Sequence, residues 1–146
     1  MSEEAITRQL VVFSLGDEEY ALPIADVHEI IRYTEPRSVA SSVDWVRGVI
    51  SLRGKIVPVY DLASRLHCAR EEDVAEQKIV IVEVAGRLAG VVVDDVTEVI
   101  TVDDEQLESI PSADEAAIDA IVKLDDRLIV LLSSAVLVGI GAEIAV

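Results

Sequence analysis

Histidine, cysteine and serine are the residue types here that could act as nucleophiles, bases or metal ligands. The chain has two histidines, His28 and His67, and one cysteine, Cys68. Ser-His-Asp catalysis needs a carboxylate-oriented histidine beside a serine in a turn, and neither histidine has a glycine-flanked serine nearby. Adjacent side chains on a helix diverge by about 100°, so His67 and Cys68 do not predict a thiol–imidazole dyad. One cysteine and two histidines cannot by themselves complete a four-ligand zinc site.

Other motifs typical of enzymes are weak. Gly139-Ile140-Gly141 lies near the end of the sequence without the lysine that a phosphate-binding loop requires. With 28 Asp and Glu residues, no single pair stands out as an acid–base couple. We therefore predict that the protein is not an enzyme and binds no metal or cofactor. This negative search favours a binding module.

The charge balance excludes some partners. The 146 residues include 12 Lys and Arg against 28 Asp and Glu, a net charge of −16, which argues against binding to nucleic acid or to an anionic membrane surface. Residues 1–70 carry 10 acids and 8 bases, whereas 71–146 carry 18 acids and 4 bases, so the first half is the more plausible partner-facing half. The longest uncharged run, 128–142, is shorter than the roughly twenty residues of a membrane span. We expect a cytoplasmic location without membrane insertion.

Short apolar segments separated by turn residues predict a chain made mainly of β-strands. Asp26–Ile31 fits a strand or a helical turn, Leu62–Leu66 fits a short helix capped by Asp61, and the apolar tail from Val136 fits another short helix. Residues 69–77 are polar and form the one convincing linker. The predicted strands are Leu10–Leu15, Tyr20–Ile24, Val46–Leu52, Lys55–Tyr60, Lys78–Val84, Leu88–Val93, Val96–Val102, Ile118–Leu124 and Arg127–Leu132.

The pattern after the linker repeats the pattern before it. Residues 9–31 align with 78–100 at an offset of 69, and residues 48–62 align with 120–134 at an offset of 72, turn on turn. The order of hairpin, third strand and second hairpin is the same in both halves. At the offset of 69 the identical pairs are Val11/Val80, Asp26/Asp95, Val27/Val96, Glu29/Glu98 and Ile31/Ile100.

A repeat of about five short strands predicts a small barrel, because closing the sheet removes its exposed edges. We therefore expect two tandem five-stranded barrels related by internal duplication, with approximate bounds 16–70 and 78–134. The strand at 8–15 and the tail at 135–146 could pack across either barrel. Each barrel is marginal alone at this size, so the two should share an apolar contact.

The most distinctive segment runs from Trp45 to Leu62 and reads WVRGVISLRGKIVPVYDL. It resembles the signature of CheW-type chemotaxis coupling proteins. The segment from Phe13 to Tyr20, followed by Val27-His28-Glu29-Ile30, is similar to the opening of that family, and the resemblance covers residues 8–138 as a single domain. The residues that match the signature are Gly48, Leu52, Arg53, Gly54, Pro58, Asp61 and Leu62.

The resemblance implies a fold and a function. The family has two five-stranded SH3-like β-barrels, in agreement with the repeat. Its members are non-catalytic adaptors that join the cytoplasmic tips of chemoreceptors to the regulatory domain of the histidine kinase CheA, within membrane-associated receptor arrays. The resemblance implies a receptor groove between the barrels and kinase contacts at the barrel ends.

The resemblance to the family also implies which residues of this chain contact the receptor. Val27 and Val96 are equivalent under the offset of 69, as a groove between two related barrels requires. Glu29 and Arg53 match family positions that pair with each other and would orient a polar rim. The receptor-binding set is Ile24, Val27, Glu29, Arg53, Gly90, Val96 and Val99.

Two alternatives stay open at this stage. A coupler of a non-motility chemosensory pathway would share the fold and bind a different receptor. A small β-barrel enzyme or ligand-binding protein would need a polar pocket with converging titratable groups, and the sequence offers no such group of His, Cys or Lys. The sequence assigns no role to His67 or Cys68 and does not specify the oligomeric state.

Overall fold

The computed structural model describes residues 7–39, 46–65, 76–109 and 118–140. Within them the chain is mainly β, as predicted, with helices α1 (Leu62–Arg65) and α2 (Ser134–Ile140). Two single 3-10 turns occupy Ile24–Asp26 and Asp104–Gln106. The strands are β1 (Thr7–Leu15), β2 (Glu18–Pro23), β3 (Val27–Arg32), β4 (Val46–Leu52), β5 (Lys55–Asp61), β6 (Lys78–Val84), β7 (Arg87–Val93), β8 (Asp95–Asp103), β9 (Leu107–Glu108), β10 (Ile118–Leu124) and β11 (Arg127–Leu132).

The strands form two sheets, one with six strands in the order β8-β1-β2-β11-β10-β9 and one with five in the order β3-β6-β7-β5-β4. Each sheet therefore combines strands from both halves of the chain. The first hairpin, β1–β2, lies with the third strand and second hairpin of the later repeat. The corresponding hairpin, β6–β7, lies with β3, β4 and β5. The two repeats have exchanged their first hairpins.

The register of the two sheets confirms that the repeat is structural. In the six-stranded sheet Val11 pairs with Leu22, and in the other sheet Val80 pairs with Val91, each residue being displaced by 69. The bulges also coincide: one falls between Val12 and Phe13 where β1 meets β8, and its equivalent lies opposite Ile81 and Val82 where β6 meets β3. The parallel pairs Leu131–Ala21 and Val59–Gly90 are equivalent as well.

The central hairpins explain why the repeats need each other. On β1, Leu10 and Val12 pack inside the six-stranded sheet, whereas Phe13 and Leu15 pack into a cluster shared by both sheets. On β6, Ile79 and Ile81 likewise belong to the interior of the five-stranded sheet, and Val80 and Val82 to the shared cluster. These hairpins are therefore buried on both faces, which accounts for their unbroken apolar runs.

The sheets do not follow the expected division of the chain into 16–70 and 78–134. β2 lies with β8–β11, β6 and β7 lie with β3–β5, and the first of the two sheets has six strands rather than five. The two first hairpins carry similar aliphatic runs, so the pattern cannot specify which hairpin pairs with which third strand. The exchange also places the two most apolar hairpins, β1–β2 and β6–β7, in the cluster shared by both sheets. Each small repeat thereby buries more apolar surface than it could bury alone.

Several predicted elements have the expected bounds, including β4, β6, β10 and β11. The segment from residue 26 is a 3-10 turn followed by a strand, so both of its predicted conformations occur in sequence. Trp45, His67, Cys68 and residues 69–75 of the linker lie outside the described residues. In the part of the chain that the structure describes, no helix has the length and apolar character needed to cross a membrane.

Two glycines of the signature have different structural reasons. Gly48 has φ of +142°, and a Cβ atom there would lie 2.0 Å from the carbonyl oxygen of Arg37. This contact exists because Arg37 and Val49 exchange two backbone hydrogen bonds, of 2.8 and 2.9 Å. Gly54 has φ of +85° in the β4–β5 turn, with open space around it.

We predict that Gly48→Ala lowers the free energy of unfolding by about 2–3 kcal/mol, because it combines backbone strain with a clash against the main chain. Gly54→Ala is the matched control and should cost about 1 kcal/mol, the cost of the left-handed conformation alone. Urea denaturation measures both values. Equal losses in the two variants would contradict the clash at Gly48.

Candidate functional site

The two connections between the sheets lead directly into two of the predicted residues, Val27 and Val96. The chain passes from β2 to β3 through Ile24–Asp26, and from β7 to β8 through Asp94, which are equivalent positions of the repeat. Val27 and Val96 follow these connections directly. Both are partly buried and pack against the shared core cluster. The predicted equivalence of Val27 and Val96 is therefore reproduced by their surroundings.

Exposed aliphatic side chains continue from this point along β3 and β8, which are edge strands of their sheets. The exposed fractions are 38% for Ile24, 41% for Ile30 and 52% for Val99. Ile24 also lines a groove of about 550 Å³ with Pro23, Ala25, Thr101 and the start of β1. We call the surface formed by Ile24, Val27, Ile30, Val96 and Val99 the junction face.

Ile30 was absent from the predicted set. It is the equivalent of Val99 at the offset of 69, and both are exposed on edge strands. The repeat alignment was thus a sufficient signal to find it. Gly90, in contrast, was predicted as a receptor contact but lies buried within β7. A Cβ there would lie 2.9 Å from Cγ2 of Ile79 and 3.2 Å from Cδ1 of Ile81. Gly90 allows close packing inside the sheet and offers no side chain to the surface.

The predicted pair of Glu29 and Arg53 is present, and Glu29 lies on the same edge strand as Val27 and Ile30. Both terminal guanidinium nitrogens of Arg53 donate to the Glu29 carboxylate, one of them at 3.2 Å. In the five-stranded sheet, β6 and β7 lie between β3 and β5. In a flat sheet, the distance between β3 and β5 would therefore be about 14 Å. Contact between Glu29 and the β4–β5 turn therefore shows that the sheet curls toward a barrel.

His28 lies at the bulge of β3, so that its ring contacts acidic groups on its own strand and on β6. Nε2 is 3.7 Å from Glu29 and Nδ1 is 3.3 Å from Glu83. This arrangement makes His28 a surface residue beside the Glu29–Arg53 pair. Its neighbours are carboxylates, and among the described residues no three His, Cys, Asp or Glu side chains are grouped so that they could hold a metal ion.

Asp61 performs two structural tasks in the signature. Its Oδ1 accepts a hydrogen bond of 3.2 Å from the backbone N–H of Ser64, as expected for the N-cap of α1. Its Oδ2 accepts a hydrogen bond of 3.2 Å from Arg47, and Arg47 also donates to the Tyr33 hydroxyl at 2.6 Å. Partial burial is the main cause that raises the pKa of Tyr33, opposed by the charge of Arg47.

The other signature residues are also structural. Leu52 packs against the interior of the five-stranded sheet, and Leu62 is fully buried in the shared core. Pro58 has no N–H, and the parallel ladder of β5 with β7 begins one residue later, at Val59. In the equivalent ladder the pairing already includes Val130, the counterpart of Pro58.

Asp94 fixes the second connection between the sheets. It is 7% exposed, and its carboxylate accepts hydrogen bonds from the backbone N–H of Gly16 at 2.6 Å and from Nε2 of Gln77 at 3.2 Å. Its own N–H donates to the Ser14 carbonyl at 2.9 Å. Asp94 thus joins the β1–β2 turn to the chain that enters β6, and so holds the two sheets in one relative position.

A second pair of exposed apolar residues lies at the far ends of the second hairpins. Ile56 follows the β4–β5 turn and is 67% exposed, and Leu128 follows the β10–β11 turn and is 66% exposed. They are equivalent at the offset of 72. Single exposed aliphatic residues are common, but this pair occupies the same position in both repeats and lies outside the junction face.

The fold and these surfaces define a protein-binding module of two related barrels. Residues 9–139 match the model of the CheW-like domain. The chain is 32% identical to chemotaxis protein CheW of Bacillus subtilis over 130 residues, covering 86% of this chain and 83% of that protein. It is also 32% identical to the probable chemotaxis protein CheW of Rhizobium etli over 129 residues, with the same shares covered.

A solved structure gives the same result. The scaffolding protein TtCheW from Thermoanaerobacter tengcongensis superposes with a TM-score of 0.81 at 37% identity, covering 88% of this chain and 90% of that one. The chain therefore belongs to the CheW-like domain family, and its two sheets are the twin SH3-like subdomains of that fold. It is a chemotaxis scaffold or adaptor, and scaffolding proteins of this family are non-catalytic.

We predict that Asp61→Ala destabilises the fold by about 2–3 kcal/mol, because it removes a helix cap and leaves the partly buried Arg47 without its carboxylate. For a chain of this size that corresponds to a fall in Tm of about 5–10 °C by scanning calorimetry.

Arg53→Gln is the control for Asp61→Ala. Arg53 is 66% exposed, so its pair with Glu29 contributes less than about 1 kcal/mol. An Asp61→Ala protein that melts within 2 °C of the Arg53→Gln protein would contradict the assignment of Asp61, by the same conversion.

Proposed function

We propose that the protein bridges the cytoplasmic tips of chemoreceptors and the regulatory domain of the histidine kinase CheA. The junction face takes the receptor, and the ends of the second hairpins take the kinase. As part of the same proposal, the adaptor works within receptor arrays at the membrane and is not inserted into the bilayer. No step of the proposal requires a cofactor.

The junction face is the observation that carries the receptor half of the proposal. A helical hairpin presents aliphatic side chains at spacings of three and four residues, which suits an apolar groove. Ile24, Ile30 and Val99 are exposed, whereas Val27 and Val96 are partly buried and pack against the shared core cluster. Glu29 lies on the same edge strand as Val27 and Ile30, so we expect its pair with Arg53 to form a charged rim, which selects orientation more than it adds affinity.

Ile56 and Leu128 support the kinase half. Each is a large exposed aliphatic residue two positions after its hairpin turn. Because they are equivalent, the two barrel ends offer the same kind of apolar contact. Neither residue belongs to the junction face, so we expect the kinase to bind through them while the receptor occupies that face, and one adaptor to hold both partners together.

Weak contacts are sufficient for such a bridge. A micromolar contact is worth about −8 kcal/mol. When two such contacts are made within one assembly, the second is intramolecular and gains from a high effective concentration. Neither surface needs the large apolar area of an obligate interface.

Two crossed substitutions test the assignment. Val99→Asp should weaken binding of a receptor-tip fragment at least about tenfold, because a carboxylate would be buried without a partner, and should leave binding of the CheA regulatory domain unchanged. Ile56→Asp should leave receptor binding unchanged and weaken kinase binding. Both native side chains are exposed, at 52% and 67%, so neither change should disturb the fold. Isothermal titration calorimetry measures all four affinities.

The crossed pattern can fail in a clear way. If both variants lose both partners, the two surfaces are not separate. If neither partner binds the parent protein, the bridging proposal is wrong. A final control mixes receptor fragment and kinase with and without the protein, and the two should sediment together only when it is present.

A further inference from the structure

The six-stranded sheet contains a cluster of three charged residues that the signature does not mark. Arg127, at the start of β11, donates to Glu19 on β2 through Nε at 3.1 Å and a terminal nitrogen at 2.9 Å. The same terminal nitrogen donates to Glu98 on β8 at 2.5 Å. We call Arg127, Glu19 and Glu98 the Arg127 cluster.

The Arg127 cluster is the counterpart of the Glu29–Arg53 pair. Glu98 is equivalent to Glu29 at the offset of 69, and each lies on the third strand of its repeat. Each pairs with an arginine from the tip region of the second hairpin in the same sheet. The arginines are not equivalent, because Arg127 aligns with Lys55 and Arg53 aligns with Asp125. The contact is thus preserved while the residue that supplies the cation has moved.

The cluster links strands of the six-stranded sheet that are not neighbours in the ladder. β8 is an edge strand whose ladder partner is β1, and β1 and β2 lie between β8 and β11. Arg127 therefore connects two strands that are three positions apart, as Arg53 does in the other sheet. It acts on the strand that carries Val96 and Val99, which are two of the five junction-face residues.

The connection of β8 to β2 and β11 depends on the positive charge of Arg127. Glu19 and Glu98 share one guanidinium, so removal of the cation leaves two carboxylates facing one another. Their repulsion would move β8 away from β2 and β11, in addition to the loss of attraction. The hydrogen bonds with Glu19 and then Glu98 also raise the pKa of Arg127 above its ordinary value, consistent with a cation held by both acids.

We propose that Arg127 is a positioning residue of the junction face: it holds β8 through Glu98, and thereby sets Val96 and Val99 against the receptor. This inference rests on the proposed function, since it concerns the receptor site of that proposal. It gives the second barrel an arginine–glutamate contact on its third strand, whereas the signature marks such a contact only in the first barrel.

The test compares Arg127→Gln, Glu98→Gln and the double variant by calorimetric titration with a receptor-tip fragment. Arg127→Gln should weaken binding about tenfold, within the usual range of coupling between a positioning contact and a binding site. In the Glu98→Gln background the same substitution should have little further effect, because Arg127 acts through Glu98. Arg127→Lys keeps the charge and should bind within about threefold of the parent.

Lys123→Gln is the matched control from the same β10–β11 hairpin. Lys123 pairs with Glu108 at 2.8 Å, with exposed fractions of 56% and 63% for the two side chains, and it does not contact β8. This variant should bind receptor as the parent does. The urea midpoints of Arg127→Gln and Lys123→Gln should agree, which separates positioning from a general loss of stability.

Three results would overturn the inference and leave the proposed function standing. One is unchanged receptor binding by Arg127→Gln. A second is a loss in Arg127→Gln that is retained in full in the Glu98→Gln background, since Arg127 would then act independently of Glu98. The third is a loss of binding in Arg127→Gln that is accompanied by a matching fall in its urea midpoint, since the loss would then reflect lower stability. Failure of the parent protein to bind the fragment would instead reject the proposed function and this inference with it.

Discussion

The structure depends on one packing constraint, which is that the hairpins β1–β2 and β6–β7 are buried on both faces. One face of each hairpin fills its own sheet, and the other meets its counterpart in the shared cluster around Phe13, Tyr60 and Val82. The hairpins satisfy both contacts by pairing with the third strand of the opposite repeat. The connections to β3 and β8 must then run through the middle of the molecule. Because of this exchange, Val27 and Val96 both pack against the shared cluster, and the junction face that we propose is its consequence.

The charged residues have a different role from the core. The Glu29–Arg53 pair and the Arg127 cluster are mostly exposed, so each adds little to stability. Both link strands that are not neighbours in their sheet, and both act on the edge strand that carries exposed aliphatic residues. Burial on binding can then supply affinity while the ion pairs determine how the edge strands are presented. A non-catalytic adaptor needs no more chemistry than this, and its function follows from the separation and orientation of its surfaces.

Local features were the most predictable from sequence. The turn at Arg53-Gly54, the capping carboxylate of Asp61 and the apolar runs of β4 and β6 depend on residues close together in the chain, and the structure reproduces them. The motif also predicted the contact between Glu29 and Arg53. The exchange of hairpins could not be predicted, because pairing partners lie far apart in sequence and the two first hairpins carry similar aliphatic runs. The same limit hid the Arg127 cluster, whose cation does not align with Arg53. Ile30 was within reach, since the repeat alignment placed it opposite Val99.

The central claim is that one receptor surface is built jointly by edge strands from both sheets. Amide hydrogen exchange of the full chain, with and without a receptor-tip fragment, tests it most directly. The account predicts protection on β3 and β8 together, centred on the segments that begin at Val27 and Val96, with the β5 segment around Ile56 unchanged. Protection confined to one sheet, or centred on the hairpin ends, would contradict it.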